Sequence, residues 1–333
     1  MRILLYIFLI LLSACSNEQS NEILNKVDFE VNVLFSPQGL GDYAYNDVIL
    51  YGIQKSHKNN HFKLNILQPS SIADGWKMFE TWKNSPTTKK NQLFIFTSVI
   101  YEKLLMNDSP IGNEHKQIIL FQSEKEIEKV RTFNISSYGA AYFIGKLIGD
   151  SRIVDSAALL LANEEDFNLK QCNQGFMDGF LDNDFENDFE TYYLAKHLNE
   201  GYNIPDSAYY ASNNLFRKYR FVFPIAGGSN KGVYQSVRDN GKGIYTAGID
   251  ADVNNLASPI LCSLVKRFDL IIEIFIKEWM EGEKMDGLIT YDLNSEFVYV
   301  SVSPDYIDFF QPYLSGLIEI AKRKEHEYLE SNK

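Results

Sequence analysis

The stretch VNVLFSPQGLGDYAYNDVILYGI, residues 31–53, decides the fold. Val31-Asn32-Val33-Leu34-Phe35 is a short β-branched and aromatic run, the signature of a buried strand. Two glycines follow, Gly39 and Gly41, where the chain can turn tightly. Residues 42–58 then place Tyr45, Val48, Ile49 and Ile53 at helical spacing. Strand, glycine turn and helix in that order form the repeating unit of a parallel sheet, because parallel strands need a crossover connection.

The unit recurs along the chain. Residues 62–67, 93–96 and 118–121 read as further strands, and 72–82 as the next helix. Residues 138–148 read as a helix whose Gly139, Ala140, Ala141 and Gly145 suit close packing. The pattern then restarts, with strands at 157–161, 189–194, 221–223 and 244–247. Helices at 169–181, 207–219, 229–237 and 264–280 alternate with them. Two strands, 287–291 and 297–302, precede one long helix over 306–329. The class is α/β, with two similar lobes, each a doubly wound, mainly parallel sheet covered by helices on both faces.

The opening, MRILLYIFLILLSACSNEQSNE, is of another kind. Residues 3–12 are apolar but too short to span a bilayer, which takes about 20 apolar residues in a helix. A charged start, an apolar middle and small residues before a cut are the layout of a secretory signal. Residues 1–14 are read as that signal and 15–27 as a flexible polar tether. Leu12-Ser13-Ala14-Cys15 resembles a bacterial lipobox. That implies diacylglycerol on the Cys15 thiol, acylation of the new amino terminus, and a body held at a bacterial membrane outside the cytoplasm. An ordinary signal peptide with an incidental cysteine is the other reading.

The whole chain is 45% hydrophobic and 14% aromatic, enough for real cores, and carries a net charge of −12. That charge argues against a nucleic-acid partner, since phosphates need a basic face. Once Cys15 is lipidated, Cys172 and Cys262 remain, either as a pair or, the preferred reading, as two buried free thiols. No CxxC or Cys/His cluster suggests a metal, and no cofactor motif is present. No G-x-S-x-G elbow, HExxH or Cys–His neighbourhood supports an enzyme. The acidic run 182–190 lacks the EF-hand glycine placement and reads as a solvated loop.

Three loops after strands carry unusual combinations. The first is Ser36 to Asp47, which feeds a helix amino terminus where N–H groups point outward. Asp42 there is a cleft residue or simply a helix N-cap, with Tyr45 then in the core. The second, Phe223-Pro224-Ile225-Ala226-Gly227-Gly228-Ser229-Asn230-Lys231-Gly232-Val233, matches no phosphate-loop pattern and suits a neutral polar ligand better. The third is Gly248-Ile249-Asp250-Ala251-Asp252. A carboxylate at a strand end can accept from vicinal sugar hydroxyls, or it can cap the next turn. Lys266 follows, read as a cation at a helix start, the unfavourable end of the dipole. It invites a carboxylate or a ligand acceptor.

Together the loops resemble the basic membrane protein family of bacterial lipoproteins, purine-nucleoside receptors that serve ABC transporters. Asp42-Tyr43-Ala44-Tyr45-Asn46 is similar to the family's opening signature, and Tyr142-Phe143-Ile144-Gly145 and Gly175-Phe176-Met177-Asp178-Gly179 to its helix signatures. Ala226 to Val233, Gly248 to Asp252, and Cys262-Ser263-Leu264-Val265-Lys266 match the remaining signatures in order. The resemblance implies a two-lobed type I periplasmic-binding fold with three crossovers and a ligand in the interlobe cleft. It implies that residues 28–150 and 257–285 form the N-terminal lobe, 151–256 and 286–303 the C-terminal lobe, and that 304–333 packs on a lobe. It places Tyr45 and Tyr202 as aromatic rings on a nucleoside base, and Asn46 and Gly228 in the cleft. Asp250 falls on a ribose-binding position and Lys266 on a cleft lysine. Ser36 and Gln122 stand where the family carries aspartates. Hydrogen bonds to charged groups contribute about 1.5–3 kcal/mol against about 1 for neutral ones. The two exchanges thus weaken nucleoside binding by roughly tens- to hundreds-fold or mark a changed ligand.

The expected function is a monomeric, lipid-anchored solute-binding protein that hands a nucleoside-like molecule to an ABC permease. A ligand sensor signalling to a membrane partner is the alternative; a nucleoside- or sugar-processing enzyme ranks below both.

Overall fold

The computed structural model describes residues 28–86, 90–108, 111–257 and 259–332. The leader, Cys15 and the tether read from the sequence lie outside them. The first half runs β1 (Phe29–Leu34), α1 (Tyr45–Asn59), β2 (Lys63–Leu67), α2 (Ile72–Asn84), β3 (Asn91–Phe96), α3 (Glu102–Asp108), β4 (Lys116–Phe121) and β5 (Arg131–Ile135). Next come α4 (Tyr138–Ser151), β6 (Ser156–Asn163), α5 (Phe167–Leu181), β7 (Asp188–Ala195), α6 (Pro205–Leu215), β8 (Phe221–Ile225), α7 (Asn230–Asn240), β9 (Tyr245–Asp250) and β10 (Ile260–Lys266). The chain ends with α8 (Phe268–Met280), β11 (Gly287–Tyr291), β12 (Val298–Val302), α9 (Ile307–Leu314) and α10 (Leu317–Ser331).

The strands form two sheets, ordered β11-β5-β4-β3-β1-β2 and β12-β10-β9-β8-β6-β7. The first is parallel throughout, and in the second only the β10–β12 pair is antiparallel. Alternate residues of β3 explain why helices cover both faces of the first sheet. Leu93 and Ile95 pack in the cluster that holds Ile49 of α1 and Ile272 of α8. Phe94 and Phe96 pack in the opposite cluster, with Phe79 and Trp82 of α2 and Leu105 of α3. Period-two alternation in a fully apolar strand does this when each face has its own helices.

In the second lobe, α5 lays Phe176 flat on Phe221 of β8, centroids 5.6 Å apart and planes 3° from parallel. On its other side α5 meets α4 backbone to backbone. A Cβ on Gly145 would lie 2.2 Å from the Phe176 carbonyl oxygen, and one on Gly179 2.2 Å from that of Tyr142. Gly145, picked out in the sequence for close packing, meets that role here.

Three readings change, and two elements are new. Residues 264–266 are the end of β10, not the start of a helix. The strand is buried at all seven positions and paired on both sides, by β9 and β12. The long helix over 306–329 is two, α9 and α10, parted at Gly316, whose φ of 76° no regular helix contains. The short strand β5 and helix α3 had no reading of their own. The expected lobe limits also differ from sheet membership: β10 lies in the second sheet and β11 in the first, while α4 packs on α5. The chain therefore passes between sheets three times: after β5, after β10 and after β11. That is the type I binding-protein arrangement.

Candidate functional site

In open α/β sheets ligands sit beyond the carboxyl ends of strands, and both sheets aim those ends at one cleft. From the first lobe, Ser36 follows β1, Gln122 follows β4, and Asp42, Tyr45 and Asn46 come from the loop and first turn after β1. From the second, Tyr202 lies between β7 and α6, Gly228 follows β8, and Asp250 and Lys266 end β9 and β10. The structure brings together all nine residues singled out in the sequence.

Asp42 is a cleft residue that also serves the helix start, although the N-cap position of α1 is Ala44 rather than Asp42. It lines the cleft, yet its carboxylate also accepts from the N–H groups of Ala44 (3.0 Å), Asn46 (2.9 Å) and Asp47 (3.3 Å). It also takes Asn46 Nδ2 at 3.0 Å. This fixes the Asn46 amide and leaves the buried Asn46 Oδ1 without a partner. Tyr45 donates its hydroxyl to the Thr97 carbonyl oxygen at 2.6 Å and meets Phe268 edge-on at 4.8 Å. Burial, with Asp250, Asp166 and Asp42 nearby, holds its phenol well above the ordinary range. The ring is thus a neutral plate pinned by its hydroxyl.

Gln122 sits at φ 60° immediately after β4. Its Oε1 accepts from Ile135 N–H at 3.1 Å, which leaves the amide nitrogen as its remaining polar handle. Its own carbonyl takes Asn168 Nδ2 of the opposite lobe at 3.2 Å. Ser36 is buried and lines the same cleft.

Asp250 and Lys266 form the one ion pair of the cleft among the described residues, Oδ1 to Nζ 3.4 Å, with side chains 13% and 5% exposed. Lys266 answers a carboxylate, as its oddity in the sequence suggested, but from a strand end. Burial pushes the Asp250 carboxyl up, Lys266 pulls it back, and Asp42 and Asp166 push it further up. Asp252, by contrast, caps the next turn by accepting from Asn254 N–H at 3.1 Å and Ser301 Oγ at 2.7 Å.

Sequence reasoning missed Asp166, Asn168, Ser137 and Cys172, all in the cleft wall. Asp166 caps α5 through Asn168 N–H at 2.8 Å and takes the Tyr202 hydroxyl at 2.5 Å, so the second ring is also fixed by its oxygen. An aspartate just after a strand and before a helix was the available signal. The Asn168 Oδ1 and Ser137 Oγ atoms are buried without partners. At the Gly227-Gly228 turn, Ser229 N–H is already committed to the Tyr202 and Ala226 carbonyls, so it is not a free ligand donor. Across the mouth, Lys231 of the second lobe donates to the Gly41 carbonyl of the first and lies 4.4 Å from the Tyr43 ring.

The site holds aromatic plates, one carboxylate with its ammonium, and acceptors that lack donors. It holds no activated nucleophile: burial pushes the free Cys172 thiol up to about 12. No group of His, Cys, Asp and Glu suited to a metal occurs among the described residues.

The family profile described as ABC transporter substrate-binding protein PnrA-like (Bmp) matches residues 29–313. The chain belongs to that family. No curated protein sequence matches it. Among solved structures, a solute-binding protein of an ABC transporter system from Aeropyrum pernix K1 superposes with a TM-score of 0.71 at 16% identity, covering 90% of this chain and 86% of that one. An ABC transporter periplasmic solute-binding protein from Actinobacillus succinogenes 130z, with bound D-allose, gives 0.64 at 12% identity over 84% and 99% of the chains. A transcriptional activator of the comK gene from Bacillus halodurans gives 0.64 at 17% identity over 87% and 96%. At these identities the structures testify to the fold. As a PnrA-like protein the chain is the substrate-binding component of an ABC system, not an enzyme. Its partners are a small molecule and a permease, and such components work outside the cytoplasm. No helix among the described residues is long and apolar enough to cross a membrane.

Proposed function

We propose that this PnrA-like protein is anchored by lipid at Cys15 and captures a nucleoside-like solute in the interlobe cleft. The carrying observation is that Tyr45, Tyr202, Asp250 and Lys266 line one cleft. Stacking of a base on an aromatic ring is worth about 1–3 kcal/mol and tolerates any base. Asp250 offers an acceptor to ribose hydroxyls. The unpartnered oxygens of Asn46, Asn168 and Ser137 call for ligand N–H or O–H donors.

Charge narrows the class. Asp42, Asp166 and Asp250 outnumber Lys266 in the wall, so a phosphate would enter a negative pocket. Calorimetry and thermal shift with adenosine, guanosine, inosine and uridine, their 5′-monophosphates, and D-allose form the test. At least one nucleoside is expected to bind, with its monophosphate weaker by about 100-fold or more. No response to any nucleoside at millimolar concentration, or a response to the sugar alone, overturns the reading. For the anchor, Cys15→Ser expressed with the leader in a bacterium is expected to move the protein from the membrane to the soluble fraction.

The raised Asp250 carboxyl gives a pH dependence with a definite sign. In the ligand-free protein a raised folded-state pKa contributes stability that is full at low pH and lost as pH rises through it. A hydroxyl-donating ligand needs the ionised acceptor, so its affinity runs the other way. It is expected to fall about tenfold per unit of pH below the Asp250 pKa, starting at a higher pH than an exposed aspartate would impose. Titrating the Kd of the bound nucleoside between neutral and acidic pH checks this. A flat profile removes Asp250 from ligand contact.

A further inference from the structure

The chain's last helix ends the fold in an unusual way. The inward stripe of α10 is Leu317, Ala321 and Glu325, two apolar residues and then a carboxylate 1% exposed. No cation pairs with Glu325 among the described residues. Its Oε1 accepts from Ser136 Oγ at 2.5 Å and Gly139 N–H at 3.1 Å, and its Oε2 from Leu293 N–H at 2.7 Å.

Those donors share a feature. Ser136 and Gly139 flank the start of α4, on the first passage between the lobes, and Leu293 lies on the third. The N-cap of α4, Ser137, makes no side-chain cap bond, so Glu325 caps that helix from far along the chain. Burial pushes the Glu325 carboxyl up, and the three hydrogen bonds from Ser136, Leu293 and Gly139 favour its anion and pull it part of the way back. Gly139 makes room for it, since a Cβ there would lie 2.6 Å from Glu325 Oε2. Tyr328, one turn on, stacks on Tyr138 at 4.1 Å with planes 12° apart. The first and third passages are also bonded to each other, Ser136 N–H to Tyr291 carbonyl at 2.8 Å, and the second passage joins the third through Arg267 N–H to Phe297 carbonyl at 2.8 Å. Ser137, beside Ser136, faces the cleft.

We propose that Glu325 is a positioning residue for ligand capture: it staples the first and third crossovers and so holds the lobes in the arrangement that brings Lys231 to Gly41 and Tyr43. The Glu325 side chain lies outside the cleft lining and acts through the hinge. A pure packing role for α10 would be met by an apolar residue, which would bring no desolvation cost.

The test uses ligand-free protein, so its outcome is independent of what the cleft binds. Glu325→Gln keeps the shape but turns an amide N–H toward one of the three donors. Leu317→Ala loosens α10 without touching a crossover. For Glu325→Gln, hydrogen exchange in peptides spanning 136–142 and 291–297 is expected to quicken by about tenfold or more. Its radius of gyration in small-angle scattering is expected to grow. Leu317→Ala lowers the unfolding temperature with neither change. Unaltered exchange and scattering in Glu325→Gln overturn the proposal. So does a uniform rise across all peptides, or the same local opening in Leu317→Ala.

Discussion

A Gly179→Ala variant is expected to lose about 3 kcal/mol of stability or more, measured by urea unfolding. The added Cβ would lie 2.2 Å from the Tyr142 carbonyl oxygen and 2.9 Å from Lys146 N. Both are backbone atoms of α4, so no rotamer change can relieve the clash and the helices must separate. Overpacking a core costs about 1–3 kcal/mol when side chains can give way, and more when they cannot. Helix propensity works in the other direction, favouring alanine over glycine by about 1 kcal/mol, so a neutral or stabilised variant would show that α4 and α5 do not touch here. The comparison is Gly316→Ala. Gly316 has φ 76° and ψ −8°, in the left-handed helical region, and nothing within 4 Å of its would-be Cβ, so backbone strain alone predicts about 1–2 kcal/mol. A cost at Gly179 well above that at Gly316 assigns the difference to helix contact.

The strand–turn–helix units were legible because their signals are local. Val31 to Phe35 announces a buried strand by composition, and Gly39 and Gly41, at φ 77° and 87°, announce the turn. Several cleft residues were legible for the same reason: Ser36, Gln122, Gly228, Asp250 and Lys266 end a strand or follow it within a few positions, whereas Tyr202 was placed by the family resemblance alone. What was not legible depends on partners distant in the chain. The apolar run through Leu264 and Val265 suits a helix as well as a strand, and only β9 and β12 on either side decide. Gly287–Tyr291 and Val298–Val302 look like neighbours, yet they join different sheets. Asp166 gains its place from Tyr202, and neither reveals the other in sequence. Glu325 sits among Lys322, Arg323, Lys324, His326 and Glu327, a context that reads as solvated surface. Its burial comes from the crossovers folding against it.

Asp250→Ala is expected to be the most damaging single change at the cleft, for stability and binding together. The variant leaves the Lys266 ammonium, 5% exposed, without its counter-ion. Breaking a buried pair this way costs about 3–5 kcal/mol. Alanine also fits poorly at φ 67°, where asparagine is tolerated, so Asp250→Asn separates charge from backbone strain. The amide oxygen of that variant would still be a neutral acceptor, and a ligand hydroxyl bond to it would be weaker than one to the carboxylate. Binding of the nucleoside identified by calorimetry is therefore expected to fall by about tenfold or more in Asp250→Asn. The decisive member of the set is Asp250→Asn combined with Lys266→Met. Burial dominates the upward push on the Asp250 carboxyl, so Lys266 does not repay the full cost of hiding that charge. Removing both charges should bring stability back at least to that of the unaltered protein, with a coupling of about 2–3 kcal/mol in the cycle, while binding stays lost. A double variant as unstable as Asp250→Asn alone would mean that Lys266 is not held by this pair. Recovered stability without recovered binding would show that the fold tolerates the pair at a cost and that the ligand is what makes use of it.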